Sequence, residues 1–442
     1  MKDQKEFKEE LLRRAGIKKA QKQRRTKIFT ACISFALCLV LLAVILLQPT
    51  ATVKAANLMN GIKPNAVEPI APDDLFTASQ TDFALRLFKA CASDQNTLVS
   101  PLSVMLALAM TANGADGQTK AEMEAVLGMP IDELNRYLHS YANHFPISKK
   151  AKVTIANSVW YRDDPTLTVN KSFLQANADY YGAAAYKAPF DDRTVRDINN
   201  WTKEKTGGMI DQIIDRISDD TMLYLINALV FDAKWESPYK DSTQIYEGAT
   251  FTANDGTEQK VTMMHQTESK YLNDSLATGF MKPYAGGDYA FAALLPNEGV
   301  SIEEYVSSLT AEGLQKTLNG AQNTGVFASI PQFSYDYDIE LRDVLKELGM
   351  PTAFDGALAD FTPMGTCDRG NLCIGSVLHK THITVDTQGT RAAAVTKVEI
   401  MAEGAYSPKY VVTLNRPFVY LIVDTQTNLP LFIGTVLSIN SI

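Results

Sequence analysis

The stretch from residue 389 to residue 403 has the pattern of a β-strand but few side chains that could hold it in a core. It reads GTRAAAVTKVEIMAE, and from Thr390 onward small or apolar residues alternate with residues that are mostly long or charged. A period of two is typical of a strand with one buried and one wet face. Because the first half is nearly all alanine and threonine, and Gly389 makes one end pliable, we infer a segment that is a strand in only some states.

Residue parity assigns the two faces of this stretch. The even-numbered face is small or apolar throughout and carries Thr390, Ala392, Ala394, Thr396, Val398, Ile400 and Ala402. The odd-numbered face carries Arg391, Ala393, Val395, Lys397, Glu399, Met401 and Glu403. An ordinary edge or central strand has the same alternation, so the pattern alone leaves open whether this strand is permanent.

In the rest of the chain, helix-like segments come before most of the strand-like segments. Apolar residues recur at three- and four-residue spacing in residues 81–92 and 101–113, which predicts two helices with a buried face. Segments rich in β-branched and aromatic residues predict strands at 152–162, 221–235, 289–297 and 326–333, and a final hairpin at 416–437. This order favours an α+β domain.

An uncharged run of 20 residues, 28–47, precedes this domain and is long enough to cross a bilayer as a helix of about 30 Å. Residues 1–27 hold eleven basic and four acidic side chains, which predicts a cytoplasmic N-terminus and a single-pass signal-anchor in the cell membrane, with the domain outside. The alternative is secretion after signal cleavage near Ala55, because residues 53–55 form a small-x-small site. The length of the apolar run favours the anchor.

Residues 48–73 carry four prolines and no apolar periodicity, so we expect a flexible stalk before a single domain at 74–442. Everything after residue 47 holds 31 basic and 46 acidic side chains. This acidic balance argues against nucleic acid as a partner of the domain.

Motifs of enzymes and metal sites are scarce. The sequence has five histidines, no G-x-S-x-G turn and no phosphate-binding loop, so it predicts neither a catalytic set nor a cofactor. His379 and His382 are three residues apart on a predicted strand, which directs them to opposite faces and argues against a metal site. Cys367 and Cys373 flank a turn, where an exported protein could hold either a disulfide or two thiols.

The chain resembles the serpins over nearly the whole predicted domain. The sequence GTRAAAVT at 389–396 is similar to the serpin hinge, and further matches lie at 96–128, 198–210, 226–239, 261–266, 377–390 and 415–436. The resemblance implies an α+β fold with three β-sheets, about eight or nine helices and an exposed reactive loop from Gly389 to Pro408. It covers neither the anchor nor the stalk.

The resemblance implies an irreversible suicide-substrate inhibitor of serine or cysteine endopeptidases, not an enzyme. The protease attacks the loop and forms an acyl-enzyme, and the hinge then inserts into the central sheet and carries the protease with it. The hinge residues are Gly389, Thr390, Arg391, Ala392, Ala393, Ala394, Val395 and Thr396. Arg391 replaces the family's usual glutamate, but it lies on the outward face, so insertion stays possible. The alternative is a non-inhibitory serpin that acts as a carrier or binding module.

Five further residues match serpin positions that support sheet opening. Ser100, Ser103, Asn227 and His379 match a hydrogen-bonded cluster under the opening sheet, and Trp235 matches the tryptophan where the loop first enters. A static polar network in a core would have the same composition.

Two ways of counting give different reactive bonds. Taking Gly389 as about the fifteenth residue before the bond gives Glu403–Gly404, and counting back from residues 415–418 gives a bond after Tyr406. Insertion length governs trapping and favours the first count.

The residue at the bond predicts the class of target protease. Glu403 suits a glutamyl-specific protease, Ala402 an elastase, and Met401 or Tyr406 a chymotrypsin- or subtilisin-like enzyme. We therefore expect a monomer whose partners are one such serine endopeptidase and, through residues 28–47, a membrane.

Overall fold

The computed structural model describes residues 55–145, 151–218, 221–390 and 408–439. The predicted anchor at 28–47 and the loop residues 391–407 lie outside the described residues. Within the described ranges, no helix combines the length and the apolar character that a membrane span needs.

Nine α-helices lie in the described part of the chain, and a 3₁₀ helix follows the last of them at Thr352–Phe354. The α-helices are α1 (Asp74–Cys91), α2 (Pro101–Ala112), α3 (Gly117–Leu127), α4 (Ile131–His144), α5 (Lys171–Tyr181), α6 (Asp192–Lys205), α7 (Ile302–Ser308), α8 (Ala311–Asn319) and α9 (Arg342–Leu348).

The described residues also form eighteen strands, interleaved with these helices along the chain. They are β1 (Ala56–Asn57), β2 (Thr97–Val99), β3 (Ala151–Arg162), β4 (Thr168–Val169), β5 (Ala184–Ala188), β6 (Leu223–Lys234), β7 (Ile245–Thr252), β8 (Glu258–Asn273), β9 (Ala277–Pro283), β10 (Tyr289–Pro296), β11 (Gln322–Pro331), β12 (Phe333–Glu340), β13 (Gly365–Thr366), β14 (Leu378–Val385), β15 (Gly389–Thr390), β16 (Tyr410–Thr413), β17 (Phe418–Asp424) and β18 (Pro430–Val436).

The strands form three sheets. A seven-stranded sheet, called the large sheet below, has the order β1-β5-β3-β6-β15-β14-β12. A nine-stranded sheet has the order β16-β11-β8-β9-β10-β17-β18-β2, with β7 paired to β8, and β13 and β4 form a two-stranded sheet. The predicted α+β fold with three sheets and eight or nine helices is confirmed for the described residues.

The two predicted helices exist, but each differs from its prediction. Helix α1 begins at Asp74 and not near Thr81, because the Asp73 carboxylate caps it by accepting a 2.8 Å hydrogen bond from the Phe76 backbone N–H. Helix α2 starts at Pro101 as predicted, yet it is buried on every side and not on one face. The reason is its position, since it contacts both β6 of the large sheet and β18 of the nine-stranded sheet.

The predicted C-terminal hairpin is confirmed as β17 and β18. Its strands pair antiparallel from Phe418 opposite Val436 to Val423 opposite Pro430, and every residue of both strands is buried. This hairpin lies inside the nine-stranded sheet and forms much of the apolar core behind α2.

Residues 55–72 belong to the segment predicted as a flexible stalk, and the structure differs from that expectation. Strand β1 pairs antiparallel with β5 at the edge of the large sheet. Further along, the Asn65 backbone N–H donates to Asp179 on α5 (2.7 Å), and the Ile70 N–H donates to the Ser140 hydroxyl on α4 (2.8 Å). These contacts hold a proline-rich stretch without apolar periodicity against the body of the protein.

Candidate functional site

Strands β6 and β14 lie on either side of β15 in the large sheet. These neighbouring strands make no direct backbone ladder with each other in the described chain, and β15 pairs antiparallel with both. Gly389 lies opposite Lys234 and Thr390 lies opposite Ala233 of β6, while Thr390 also lies opposite Val385 of β14. The hinge predicted from sequence therefore starts as two residues of a central strand, and we call the region between β6 and β14 beyond Thr390 the opening.

A tight turn at residues 386–388 delivers the chain into this position. The Asp386 carboxylate accepts hydrogen bonds from the backbone N–H of Gln388 (2.7 Å) and of Gly389 (3.1 Å). The Asp386 N–H donates to the Gly389 carbonyl at 3.0 Å. An aspartate that accepts from the N–H two residues on is a common way to fix such a turn.

Gly389 is required by close packing. A Cβ at this position would lie 2.1 Å from the carbonyl oxygen of Ala233 and 2.7 Å from the Cα of Lys234. Any side chain would therefore push β15 away from β6. The sequence suggested glycine for pliability, whereas the structure explains it by the approach of two backbones.

Thr390 points into the core. Its side chain is 3% exposed, and its hydroxyl lies 2.5 Å from the hydroxyl of Tyr284. The Tyr284 ring stacks on Trp235 with centroids 4.6 Å apart and an interplanar angle of 13°. Burial raises the pKa of the Tyr284 phenol, so it stays protonated and can donate to Thr390.

Trp235 bonds the turn at residues 386–388. Its backbone N–H donates to the Gln388 carbonyl (2.8 Å) and its indole Nε1–H donates to the Asp386 carbonyl (2.9 Å). The side chain is 1% exposed. Trp235 thus lies where the chain enters the sheet, the position that the resemblance implied.

The predicted polar cluster is split into two groups under the opening. In one group the Ser103 hydroxyl of α2 bonds the Asn227 side chain of β6, which in turn bonds Asn157 of β3. In the other, the Ser100 N–H donates to His379 Nε2 of β14 at 3.0 Å, and the Ser100 hydroxyl donates to the Leu431 carbonyl. The start of α2 therefore bonds both strands that border the opening.

His379 is neutral in this environment. It is 3% exposed, and burial lowers its pKa to about 4. Because Nε2 accepts the Ser100 N–H, the ring proton is on Nδ1. His382 lies on the exposed face of the same strand, where its Nδ1 is 2.9 Å from Asp336.

Two residues of this site were missed from the sequence, Asn157 and Tyr284. Asn157 carries a weak signal, since an asparagine in the middle of an apolar strand needs a buried partner, and it pairs in register with Asn227. Tyr284 carries no signal, because its contact with Thr390 joins residues 106 positions apart.

The remaining predicted site residues are Arg391, Ala392, Ala393, Ala394, Val395, Thr396, Met401, Ala402, Glu403, Gly404 and Tyr406. They lie outside the described residues. Thr390 ends the described part before them, and after them the chain resumes at Pro408 and enters β16, which is parallel to β11.

Cys367 and Cys373 are two thiols and not a disulfide in this structure. The Cys367 sulfur lies 3.3 Å from the Thr166 hydroxyl. Burial raises the pKa of the Cys373 thiol, which keeps it protonated and slows its oxidation.

Comparisons with known proteins agree with this architecture. The family model described as "Serpin (serine protease inhibitor)" matches residues 78–439. An uncharacterised serpin-like protein of Thermococcus kodakarensis is 31% identical over 369 residues, which covers 80% of this chain and 84% of that protein.

Two crystal structures of a thermophilic serpin, tengpin, are also similar. Its native state is 48% identical, covers 88% of this chain and 100% of its own, and gives a TM-score of 0.84. Its latent state is 46% identical, covers 84% and 100%, and gives a lower TM-score of 0.76. On the family match and these relatives, the chain belongs to the serpin family.

Proposed function

We propose that this protein is an irreversible suicide-substrate inhibitor of serine endopeptidases, with cysteine endopeptidases as a further target class. The observation that carries the proposal is β15, a two-residue strand that begins a new central strand between β6 and β14. The higher similarity to a native than to a latent serpin structure supports a molecule whose opening is still available.

The proposed reaction begins as ordinary proteolysis. The protease nucleophile attacks the carbonyl of the reactive bond, an acyl-enzyme forms, and the amine of the next residue leaves on the C-terminal side of the loop. The freed N-terminal side then extends β15 through the opening. About fourteen residues at about 3.3 Å each would carry the protease some 45 Å, which separates its catalytic groups from the acyl bond before water arrives.

The burial of Thr390 supports the parity assigned from the sequence. Since alternate residues of a strand point to the same face, an extended β15 would bury the even-numbered positions that follow Thr390. Those positions are small or apolar through Ala402, so insertion would bury no unpaired charge. Arg391 falls on the other face, where its charge can remain in water.

We assign the reactive bond to Glu403–Gly404, with Met401, Ala402 and Tyr406 as the other candidate residues before the bond. The hinge count supports this assignment, because it starts from Gly389, which already pairs with β6. Glu403 points to a glutamyl-specific target and Ala402 to an elastase. Met401 and Tyr406 point to chymotrypsin- or subtilisin-like enzymes.

Ser100, Ser103, Asn227, His379 and Trp235 act, in this proposal, as the residues that govern opening of the sheet. Their bonds support the role. Ser100 links α2 to β14 and Ser103 links α2 to β6, so both borders of the opening are tied to one helix. Widening the opening would stretch these two links, and closing it around a new strand would restore them.

We propose that residues 28–47 anchor the protein in the cell membrane, with residues 1–27 inside and the serpin domain of 74–442 outside. The charge and length of these segments support the assignment. A chain cleaved near Ala55 would be secreted instead. Its N-terminus would begin just before β1, so the contacts of residues 56–72 with the body would be kept.

The test is a mass measurement. The chain from residue 55 onward, which keeps β1, is mixed with elastase-, glutamyl-, chymotrypsin- and subtilisin-type proteases, and intact masses are read under denaturing conditions. We expect a covalent adduct and a released C-terminal peptide whose mass gives the bond. Cleavage of the loop by every protease without an adduct, and with full protease activity left, would instead favour a carrier or binding module.

A further inference from the structure

A buried ion pair lies directly behind the entrance to the opening. The Lys282 ammonium of β9 and the Glu268 carboxylate of β8 are 2.7 Å apart, and their side chains are 1% and 8% exposed. Of the ion pairs in the described chain, it is the one in which both partners are buried. Lys282 Nζ also donates to Gln266 Oε1 (2.6 Å) and to the Ser237 carbonyl (3.3 Å), so all of its hydrogens have acceptors.

The ammonium also faces the aromatic rings of two residues whose backbones bond the turn at 386–388. Lys282 Nζ is 4.5 Å from the ring centroid of Tyr239 and 5.4 Å from that of Trp235. The Tyr239 N–H donates to the Thr387 carbonyl (3.0 Å), and the Trp235 N–H donates to the Gln388 carbonyl (2.8 Å). One cation therefore contacts both residues whose backbones hold the turn before β15.

The position of this pair is poorly explained by stability alone. Desolvation by burial lowers the pKa of Lys282 and raises the pKa of Glu268, and their mutual attraction opposes both shifts. Apolar residues of similar volume often stabilise a core as well as a buried ion pair does. Such a pair is directional, however, because its hydrogen bonds fix the position of every group around it.

We propose that Lys282 and Glu268 are positioning residues for loop insertion, and this inference rests on the proposed inhibitory function. Glu268 holds the ammonium in place, and the ammonium holds Trp235 and Tyr239 against the turn at 386–388. The turn then stays fixed while the chain beyond Thr390 moves into the opening. A fixed turn keeps the register of the new strand and speeds insertion relative to hydrolysis of the acyl-enzyme.

The inference is tested with Lys282→Met and with the double variant Lys282→Met/Glu268→Gln, which leaves no unpaired charge if the single variant fails to fold. The control is Lys203→Met/Asp211→Asn, which removes a surface ion pair on and beside α6. Each protein is mixed with a protease that wild type traps. We expect the rate of loop attack to be unchanged and the trapped fraction to fall about tenfold in both Lys282 variants, because positional errors near a reaction are costly.

Amide hydrogen exchange gives a second readout that needs no protease. In the double variant we expect faster exchange at the N–H groups of Trp235 and Tyr239, with exchange in β17 unchanged. A core pair with no positioning role predicts wild-type trapping and wild-type exchange at both amides, and that result overturns the inference. If wild type traps no protease, the proposed function fails, and the exchange data alone decide whether the pair holds the turn.

Discussion

The hairpin β17–β18 and the strand pair β6 and β14 both contact the segment that starts and forms helix α2, but their strand pairing is complete to different degrees. In the hairpin, backbone pairs run along both strands and every residue is buried, so no further strand can insert between them. Between β6 and β14, two residues of a third strand are in place and polar side chains lie beneath. The hairpin, called the closed region below, is held by apolar packing. The strands β6 and β14, called the open region below, are held by hydrogen bonds that can be broken and formed again.

The largest expected effect comes from a charge placed in the opening itself. Thr390→Arg would put a cation at a 3% exposed position against Tyr284, and burying an unpaired charge costs several kcal/mol. We expect the adduct with the target protease to fall at least about 100-fold while loop cleavage continues. Denaturing gels and intact masses measure both products.

The matched control for this change is the neighbouring residue. Residue parity predicts that Arg391 is on the outward face of the same hinge, so Arg391→Ala should leave adduct formation as in wild type. Equal trapping by Thr390→Arg and wild type would show that β15 is not the start of the inserted strand.

A substitution in the closed region should change the free energy of unfolding but not the fraction of protease that is trapped. Leu421 of β17 is fully buried, so Leu421→Ala should lower the free energy of unfolding by about 2–5 kcal/mol through lost burial and a cavity. At a temperature where the variant is folded, its trapped fraction should match that of wild type. Leu358→Ala, at a 67% exposed site, is the control and should change the unfolding free energy little.

His379, on β14 in the open region, should make the free energy of unfolding sensitive to acid. Its folded pKa of about 4 lies below the unfolded value of 6.5, so the unfolded chain takes up a proton first as the pH falls. The contribution of neutral His379 to the free energy of unfolding is therefore full above pH 6.5, is lost between about pH 6.5 and 4, and does not change further below. The shift corresponds to about 3 kcal/mol.

Denaturant unfolding at a series of pH values measures this loss. His379→Gln removes the titration and should flatten the curve in that window, apart from a contribution by His265, whose pKa burial also lowers. An unchanged slope in the variant would assign the acid sensitivity to other groups.

The smallest effect is expected where one hydrogen bond under the opening is removed. Ser103→Ala leaves the buried Asn227 side chain without its α2 partner, which should cost about 1–3 kcal/mol of unfolding free energy. A double-mutant cycle with Asn227→Ala isolates the coupling between the two. Additive losses would mean that the two side chains do not act together.

Sequence patterns predicted the parts of this molecule that depend on neighbours along the chain. The final hairpin, the start of α2 at Pro101 and the inward position of Thr390 all follow from local periodicity. The full burial of α2 does not, because it results from two sheets that meet over one helix. Tyr284, Lys282 and Glu268 were missed for the same reason, since their roles exist only through contacts between distant segments.

The two residues of β15 have a kinetic consequence. Adding the first residues of a new ordered segment is usually the slow step, because several dihedral angles are fixed before many bonds form in return. Here Gly389 and Thr390 already pair with β6, so under the proposed mechanism the first residues of the new strand are in place before any protease arrives. Cleavage of the loop would then let the strand extend from these two paired residues. Insertion would therefore compete with hydrolysis of the acyl-enzyme at the rate of strand extension, without a slow first step.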